Sequence, residues 1–473
     1  MNFSEYAEYD GLGLAQLVAT KKVSAQELAG CARQAIEERN PAINAVISTP
    51  EGQAFAEEQP FSGVPFAIKE LLLQAKGTLC RSGSRAVPPE PVLADTTLMQ
   101  RYRAAGLHLI GTTQSPEMGY NATTETVAFG PVHNPWKQGY SAGGSSGGSG
   151  AAVAAGFVPI AHANDGGGSI RIPASCNGLV GLKPTRDRTP AGPLYADPLL
   201  GHAIEFVVSR SVRDSAALLD CVAGPDLGAP HLIASPTTSF AKSAASKVNP
   251  LKIAVVEGSM FGTLVHDEID LAVKNTTQQL EALGHTIIEN PLRLDFEEFS
   301  EHINVIWCAY AGQFVDHVTK ATGCAADNDN FEAVTLTCAE FALNTNALQV
   351  LEALDYVNRI TRETAMMFEE FDTLMSTTVG MPPPEHGTLD QNDGNISAID
   401  WTRKTFTYAP NTPLFNSTGQ PAISLPLHWT ADNLPVGVQF AGKMGQEGLL
   451  LSLASQLEEH FNWKQQQRQL WQK

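Results

Sequence analysis

Positive charge, paired cysteines and long hydrophobic runs are all scarce in this sequence of 473 residues. The 31 Lys and Arg residues are outnumbered by 50 Asp and Glu residues, giving a formal net charge of −19. This negative excess argues against binding to nucleic acid or to an anionic membrane. The seven cysteines are scattered and never spaced as C-x-x-C, so neither a disulfide framework nor a zinc knuckle is expected.

Patterns for membrane insertion, export and nucleotide binding are also missing. The longest Gly/Ala-rich apolar stretch, residues 151–163, is too short to cross a bilayer and contains Pro159 and His162. The first residues lack the basic and apolar regions of a signal peptide. Neither glycine-rich loop matches a P-loop or a dinucleotide-binding fingerprint. We therefore expect a cytoplasmic protein with reduced thiols that does not bind membranes or nucleic acid.

Short apolar runs alternate with helical patterns along the chain, which predicts an α/β layer architecture. No repeat or long linker interrupts them, so one domain over residues 1–473 is favoured. A more helical region, about 295–371, is predicted to cover the site.

Ser24 and Glu27 form a capping box at the start of a predicted helix, and Pro41 is expected to end this helix. Strands are predicted at 64–68, 107–110, 157–161, 251–256, 285–288, 414–427 and 434–441, and helices at 24–39, 95–105, 146–156, 211–222, 269–283 and about 446–460.

Two glycine–serine loops, residues 143–150 and 164–173, carry the chemical signal. Glycine lets the backbone turn sharply and present its N–H groups without obstruction. The first loop fits G-x-S-x-G, the nucleophile elbow of α/β-hydrolases, in which Ser145 would attack and a later Asp and His would complete a triad. That match is weak in so glycine-rich a segment, and none of the 12 histidines stands in a motif. Lys69, at the end of an apolar run, is a second candidate base, because desolvation lowers the pKa of a lysine.

Lys69 and the runs 143–149 and 167–174 together resemble the amidase signature family of hydrolases. The resemblance resumes at 415–426 and 435–439, and three long motifs in order are far more specific than any one of them. It implies a single large domain with a central mixed β-sheet covered by helices on both faces. The catalytic core would be about 60–225 plus 410–445.

Within this family, the segments 116–119, 133–136, 147–155 and 209–214 are similar to bacterial hydrolases of the 6-aminohexanoate-cyclic-dimer type. The A subunits of glutamine-dependent amidotransferases usually carry Ser-x-Asp-Gln-x-Gly at a point where this chain reads HAIEFVV, residues 202–208. An amidotransferase subunit is therefore kept as an alternative to a free-standing hydrolase, as is an α/β-hydrolase that uses Ser145.

The resemblance implies a Ser–cis-Ser–Lys triad, with Ser169 as nucleophile, Ser145 as bridging serine after a cis peptide bond, and Lys69 as base. It also implies an oxyanion hole formed by the backbone N–H groups of Gly166, Gly167, Gly168 and Ser169. Many family members carry a larger residue where Gly166 stands, so this glycine is expected to open space beside the acyl group. Asp165 and Arg171 are expected to hold the loop, and Ser146 and Ser149 to support it by hydrogen bonds. The mechanism needs no metal or organic cofactor.

The substrate is expected to be a small amide, hydrophobic, aryl, linear or cyclic, with carbamates and esters as further classes. Trp307, Cys308 and Tyr310 lie on a predicted helix that could face the acyl-binding cleft, and Met118 and Phe415 are similar candidates. Ordinary core packing explains these five residues equally well. A homodimer is considered, and the residues do not select among these substrates.

Overall fold

The computed structural model describes residues 1–289 and 293–472. Its centre is a mixed sheet of 11 strands flanked by helices, as predicted for the fold class. The helices are α1 (Phe3–Ala7), α2 (Gly11–Ala19), α3 (Ala25–Ile43), α4 (Thr97–Ala104), α5 (Gly147–Ala154), α6 (Arg171–Asn177), α7 (Val212–Val222), α8 (Phe240–Ala244), α9 (Asp267–Ala282), α10 (Phe296–Thr322), α11 (Ala333–Leu343), α12 (Ala347–Met367), α13 (Ala398–Tyr408), α14 (Thr412–Thr418), α15 (Glu447–Phe461) and α16 (Lys464–Trp471).

The strands are β1 (Val46–Ser48), β2 (Val64–Lys69), β3 (Leu107–Thr113), β4 (Glu125–Thr126), β5 (Gly130–Pro131), β6 (His133–Asn134), β7 (Lys137–Ser141), β8 (Ile160–Asp165), β9 (Val180–Lys183), β10 (Ile204–Ser209), β11 (Lys252–Val255), β12 (Thr286–Glu289), β13 (Thr373–Thr377), β14 (Ala422–Trp429) and β15 (Pro435–Gly442). The large sheet has the order β1-β3-β2-β8-β10-β9-β14-β15-β13-β11-β12. It therefore draws strands from both ends of the chain. No helix within the described ranges is long and apolar enough to cross a membrane.

The parallel part of the sheet places the two ends that carry the predicted chemistry side by side. β2 pairs in parallel with β3 and with β8, so the carboxyl ends of β2 and β8 lie at one edge. Lys69 is the last residue of β2, and Asp165 is the last residue of β8. Both strands are buried along their whole length, since helices cover both faces of the sheet.

The helical region forms a cover made of α10, α11 and α12. α10 packs against α11, α12 and α13, and α12 also contacts α14. One hydrophobic core extends from the sheet into this cover and includes Phe299, Ile303 and Trp307 of α10. The prediction of a mainly helical segment at about 295–371 is thus confirmed, although residues 373–377 return to the sheet as β13.

Three predicted boundaries were wrong. The helix opened by the Ser24–Glu27 capping box continues through Pro41 to Ile43, because Pro41 lies in the last turn and the chain leaves the helix at Asn44, which is left-handed. The segment predicted as strand 414–427 begins as helix α14 and becomes strand only at Ala422. The strand predicted at 157–161 runs instead from Ile160 to Asp165, and α16 at the end of the described chain was not predicted.

Candidate active site

Lys69 is completely buried, and its amine is held between two side chains. Its Nζ atom lies 2.6 Å from Ser145 Oγ and 2.5 Å from Asn164 Oδ1, at hydrogen-bond distance from both. The Asn164 amide is oriented by its own hydrogen bond, in which Nδ2 donates to the Leu71 carbonyl at 2.9 Å. The peptide bond between Gly144 and Ser145 is cis. The Lys69 amine is therefore fixed in direction, with the Ser145 hydroxyl as one of its two partners.

Burial lowers the pKa of Lys69 well below the ordinary lysine value. Removal from water penalises the charged ammonium more than the neutral amine. Asp165 and Glu205 act in the opposite direction, since their negative charges favour the ammonium, but the effect of burial is larger. The structure thus provides what a lysine base needs, a neutral amine accessible nearer to neutral pH.

Residues 143–148 of the first loop are pressed against the backbone of two neighbouring segments. A Cβ atom on Gly144 would lie 2.6 Å from the Thr123 backbone nitrogen, and one on Gly148 would lie 2.5 Å from that of Gln114. Real Cβ atoms do not approach other atoms so closely, so only glycine allows this loop to lie where it does. The glycines of the first loop hold Ser145 beside Lys69 by close packing.

Residues 166–169 of the second loop are held in place by a buried ion pair. Arg171 Nη2 lies 2.8 Å from Asp165 Oδ1, and both side chains are inaccessible to solvent. The Arg171 guanidinium also donates to the Thr412 carbonyl, Gln439 Oε1 and Asn416 Oδ1 at 2.9, 2.7 and 2.6 Å. Burial alone would raise the pKa of Asp165, but the Arg171 charge and hydrogen bonds outweigh burial and lower that pKa to about 2. A fully hydrogen-bonded pair of this kind fixes the start of α6.

One of the four expected oxyanion donors is already engaged. The Gly168 N–H donates to Asp165 Oδ1 at 2.7 Å, so it is not free to receive an oxyanion. Within the described chain, no hydrogen bond of the structure uses the N–H groups of Gly166, Gly167 or Ser169. Gly168 was expected as an oxyanion donor, but its N–H holds the loop instead, and the N–H groups of Gly166, Gly167 and Ser169 are the remaining candidates. Its φ of 133° also requires glycine.

Ser145 and Ser169 line the same small cavity, together with Met118, Trp307 and Tyr310. The Ser169 side chain is almost buried and, among the described residues, no hydrogen bond joins its Oγ to Ser145 Oγ. Catalytic hydrogen bonds are often long before substrate binds, so the shared cavity is the relevant geometry. The structure brings three of the five candidate substrate-binding residues to this cavity.

Cys308 and Phe415 do not line the cavity. Trp307 and Tyr310 are three residues apart on α10 and share a face, whereas Cys308 is turned about 100° away from Trp307. Its thiol is buried and donates to Asn304 Oδ1 at 3.3 Å. Phe415 is wholly buried within α14. For these two residues the interpretation as core packing is the one that fits the structure.

Several contributors to the site were not assigned a role from the sequence. Asn164 is the first residue of the second loop, next to Asp165, and its position before the glycines was the available signal. Tyr120 stacks on Trp307 with ring centroids 4.3 Å apart. Leu199 reaches the cavity from a connecting segment, and no local pattern marks it.

The histidine-based alternative has no geometric support in the described chain. No histidine forms a hydrogen bond with Ser145, whose Oγ lies at Lys69 Nζ. The histidine of β8, His162, is buried and faces Glu205, with 3.3 Å between Nε2 and Oε1. Ser146 and Ser149 act as supports, since their hydroxyls donate to the carbonyls of Asn164 and His162 at 3.2 and 2.6 Å.

Comparison with known proteins points in the same direction. A family model described as amidase matches residues 23–451. The 6-aminohexanoate-cyclic-dimer hydrolase of Paenarthrobacter ureafaciens is 35% identical to this chain and covers 98% of it, with 96% of the relative aligned. The protein of the same name from Pseudomonas sp. (strain NK87) is 34% identical with the same coverage.

The solved structures agree with these sequence matches. The structure of a 6-aminohexanoate cyclic dimer hydrolase superposes with a TM-score of 0.89 and is 32% identical, covering 98% of this chain and 99% of that chain. The similarity therefore extends over the sheet, the two loops and the helical cover alike.

Proposed function

We propose that this chain, which belongs to the amidase signature family, hydrolyses amide bonds other than peptide bonds through Ser169, Ser145 and Lys69. The observation that carries this proposal is the buried Lys69 amine, which lies 2.6 Å from the Oγ atom of Ser145, a residue that lines the same cavity as Ser169. No other buried lysine of the described chain contacts a serine hydroxyl in such a cavity.

In the proposed reaction, a proton moves along the row Ser169, Ser145, Lys69. The neutral Lys69 amine takes the Ser145 proton while Ser145 takes the proton of Ser169. The Ser169 oxygen forms a bond to the amide carbonyl carbon, and the carbonyl π electrons move onto its oxygen. Asn164 Oδ1 accepts a hydrogen bond from Lys69 and keeps the amine lone pair directed at Ser145.

The tetrahedral intermediate then breaks its carbon–nitrogen bond. Its oxyanion is received by the free N–H groups of Gly166, Gly167 and Ser169, and each such donor is typically worth about 3–4 kcal/mol. The proton returns through Ser145 to the departing amine, which leaves an ester between the acyl group and Ser169. Water attacks this acyl-enzyme by the same proton relay and releases the carboxylic acid.

We propose an uncharged, mainly apolar amide as substrate. Leu71, Met118 and Tyr310 give the cavity mostly apolar walls, and no Asp, Glu, Lys or Arg of the described chain lines it. The relatives are named for a cyclic dimer of 6-aminohexanoate, whose amides are joined by methylene segments and carry no charge. Aryl amides and linear aliphatic amides have the same character and belong to the same proposal.

A substrate screen tests this function. The purified chain is offered amides, anilides, carbamates, esters and glutamine, with Ser169→Ala and Lys69→Ala as test variants and Lys76→Ala, an exposed lysine, as control. We expect hydrolysis of uncharged amides, loss of it in both test variants and wild-type rates in the control.

Two outcomes would overturn the proposal. Full activity of Lys69→Ala at neutral pH would contradict the base assignment. Release of ammonia from glutamine only, and only with co-purified subunits, would favour the amidotransferase alternative.

A further inference from the structure

Two small cavities meet at Ser169 and at the Trp307 indole, which both of them share. Trp307, Ser169 and Gly119 line both cavities, and every other lining residue belongs to one of them alone. The base-side cavity is lined by Ser145, Asn164, Gly166 and Leu199 among others, and the far-side cavity by Tyr120, Gly167, Ile172 and Phe406 among others. Each encloses about 20 Å³, room for about one water molecule.

The chemistry of the proposed reaction decides which half of an amide faces which cavity. The departing nitrogen must lie within hydrogen-bond reach of Ser145, which returns the proton to it. Ser145 lines only the base-side cavity. The oxyanion occupies the N–H groups of the second loop, so the remaining substituent of the carbonyl carbon, the acyl chain, is directed to the far side.

Trp307 is held rigidly from the far side by Tyr120. The two rings are stacked, with centroids 4.3 Å apart and an interplanar angle of 9°. Tyr120 is itself fixed, because its hydroxyl lies 2.5 Å from Thr402 Oγ1 and its carbonyl accepts a hydrogen bond from Trp401 Nε1 at 3.0 Å. The indole therefore has little freedom to move toward the far side.

On the base side, Trp307 packs against Gly166. A Cβ atom at position 166 would lie 3.1 Å from Trp307 Cζ2 and 3.2 Å from Leu199 Cδ2. The space that the missing side chain leaves is therefore already filled by Trp307 and Leu199. This corrects the expectation that Gly166 opens space beside the acyl group.

We infer that Trp307, seated on Gly166 and stacked on Tyr120, is the residue that separates the two halves of the substrate and sets how large each can be. The amine half lies on the Ser145 side, and the acyl half lies on the Ile172–Phe406 side. This inference rests on the proposed function, because the two sides are assigned by the roles of Ser169 and Ser145.

The test compares two series of substrates that change one half at a time. The acyl series is acetyl-, butyryl- and hexanoyl-p-nitroanilide, and the amine series is the butyramides of methylamine, aniline and 2-naphthylamine. Relative kcat/KM within each series is measured for the wild type, Gly166→Ala, Trp307→Phe and the double variant. A compound that is not turned over is scored by its inhibition constant. Ratios within a series cancel any change in the oxyanion hole that affects all substrates equally.

We expect Gly166→Ala to lower the naphthylamide-to-methylamide ratio of kcat/KM by about tenfold or more. Gly166 lines only the base-side cavity, and its new methyl group would press on Leu199 and on an indole that Tyr120 keeps from moving to the far side. The acyl-series ratios should stay within about twofold of wild type. Trp307→Phe in the Gly166→Ala background should restore the amine series, since the smaller ring makes room for the methyl group. Such mutual rescue reports a direct contact between the two positions, which general damage to the loop would not give.

Equal effects of Gly166→Ala on both series, or an additive double variant, would overturn the inference. Both outcomes leave the proposed function intact as long as Ser169→Ala is inactive. Activity that survives in Ser169→Ala would instead overturn the proposed function, and the two failures are thereby distinguished.

Discussion

The two glycine–serine loops of this protein use glycine for different reasons. At Gly144 and Gly148 of the first loop, the missing side chains make room for backbone atoms of Thr123 and Gln114. In the second loop, the missing side chain of Gly166 makes room for the side chains of Trp307 and Leu199. A backbone held in a sheet or turn cannot give way, whereas a side chain can shift or be exchanged.

This difference suggests a division between chemistry and selection. The first loop holds Ser145 against Lys69, a geometry that any amide substrate of this proposed mechanism requires. In the proposed mechanism the second loop offers its free N–H groups to the oxyanion, while its outer edge meets residues of the helical cover. Substrate preference can therefore change at Gly166 and Trp307 without disturbing the proton relay.

The largest expected losses of activity come from replacing the serines of the two loops, and the two losses should differ. Ser169→Ala should lower kcat/KM by about 10⁴-fold or more, because the nucleophile is lost. Ser145→Ala should cost about 10²- to 10⁴-fold, because the relay is broken while the nucleophile remains. A fluorophosphonate probe phosphonylates a serine nucleophile with loss of fluoride, and mass spectrometry should show no adduct on Ser169→Ala and a slow adduct on Ser145→Ala.

Ser146→Ala is the matched control for these variants, since it removes one hydrogen bond of about 1 kcal/mol beside the same loop. An adduct that forms on Ser169→Ala but not on Ser145→Ala would reverse the two roles and return the first loop to a nucleophile elbow.

The second loop should depend on its buried ion pair for stability. Asp165→Asn leaves the Arg171 guanidinium buried without its charge partner, and we expect a loss of about 3–5 kcal/mol in the free energy of unfolding. Urea denaturation followed by circular dichroism measures this loss. Asp316→Asn, which removes an exposed pair with Lys320, should cost no more than about 1 kcal/mol. Similar midpoints for both variants would show that the pair does not organise the loop.

Alanine substitutions test the contrast between the loops directly. Gly148→Ala forces a methyl group against the Gln114 backbone and should cost about 1–3 kcal/mol of stability. Gly166→Ala should cost less, because its methyl group would meet side-chain atoms at 3.1 and 3.2 Å rather than a backbone atom at 2.5 Å. Gly30→Ala is the control, since nothing lies near that exposed helix position and the gain should be up to about 1 kcal/mol. If thermal denaturation ranks Gly166→Ala below Gly148→Ala in stability, the contrast is wrong.

The smallest effect concerns pH. Below its pKa, Lys69 is an ammonium and cannot accept a proton, so kcat/KM should fall as pH falls through a pKa well below the ordinary 10.5. Glu205 raises the pKa of Lys69, so Glu205→Gln should move this acid limb to lower pH. Initial rates over a pH series measure the limb, with stability checked at each pH. If the acid limb moves to higher pH in Glu205→Gln, or if Lys69→Ala shows the same limb as the wild type, the ionisation belongs to another group.

Much of the site could be predicted because its signals are local. The apolar run 64–68 that ends at Lys69 is a strand with Lys69 at its end. Helices α5 and α6 follow the first and the second loop. Of these two helices, only α5 was predicted from the sequence, on the basis of its small residues. The sequence could not predict that Trp307 lines the cavity whereas Cys308 does not, because the side of α10 that faces the cavity is set by packing against α11 and α13.

The sequence by itself determined the fold class, the order of the motifs and the residue types of the site, because glycine spacing and apolar periodicity act on neighbouring residues. Only the tertiary structure decided that the Gly168 N–H is taken by Asp165, that the Lys69 amine is desolvated, and that Trp307 fills the space at Gly166. The last two facts depend on burial and on contacts between distant residues, such as Lys69 and Asn164, which form only when the sheet brings distant segments together. The Gly168–Asp165 bond is local, but the carboxylate that accepts it is oriented by Asn416, 251 positions away.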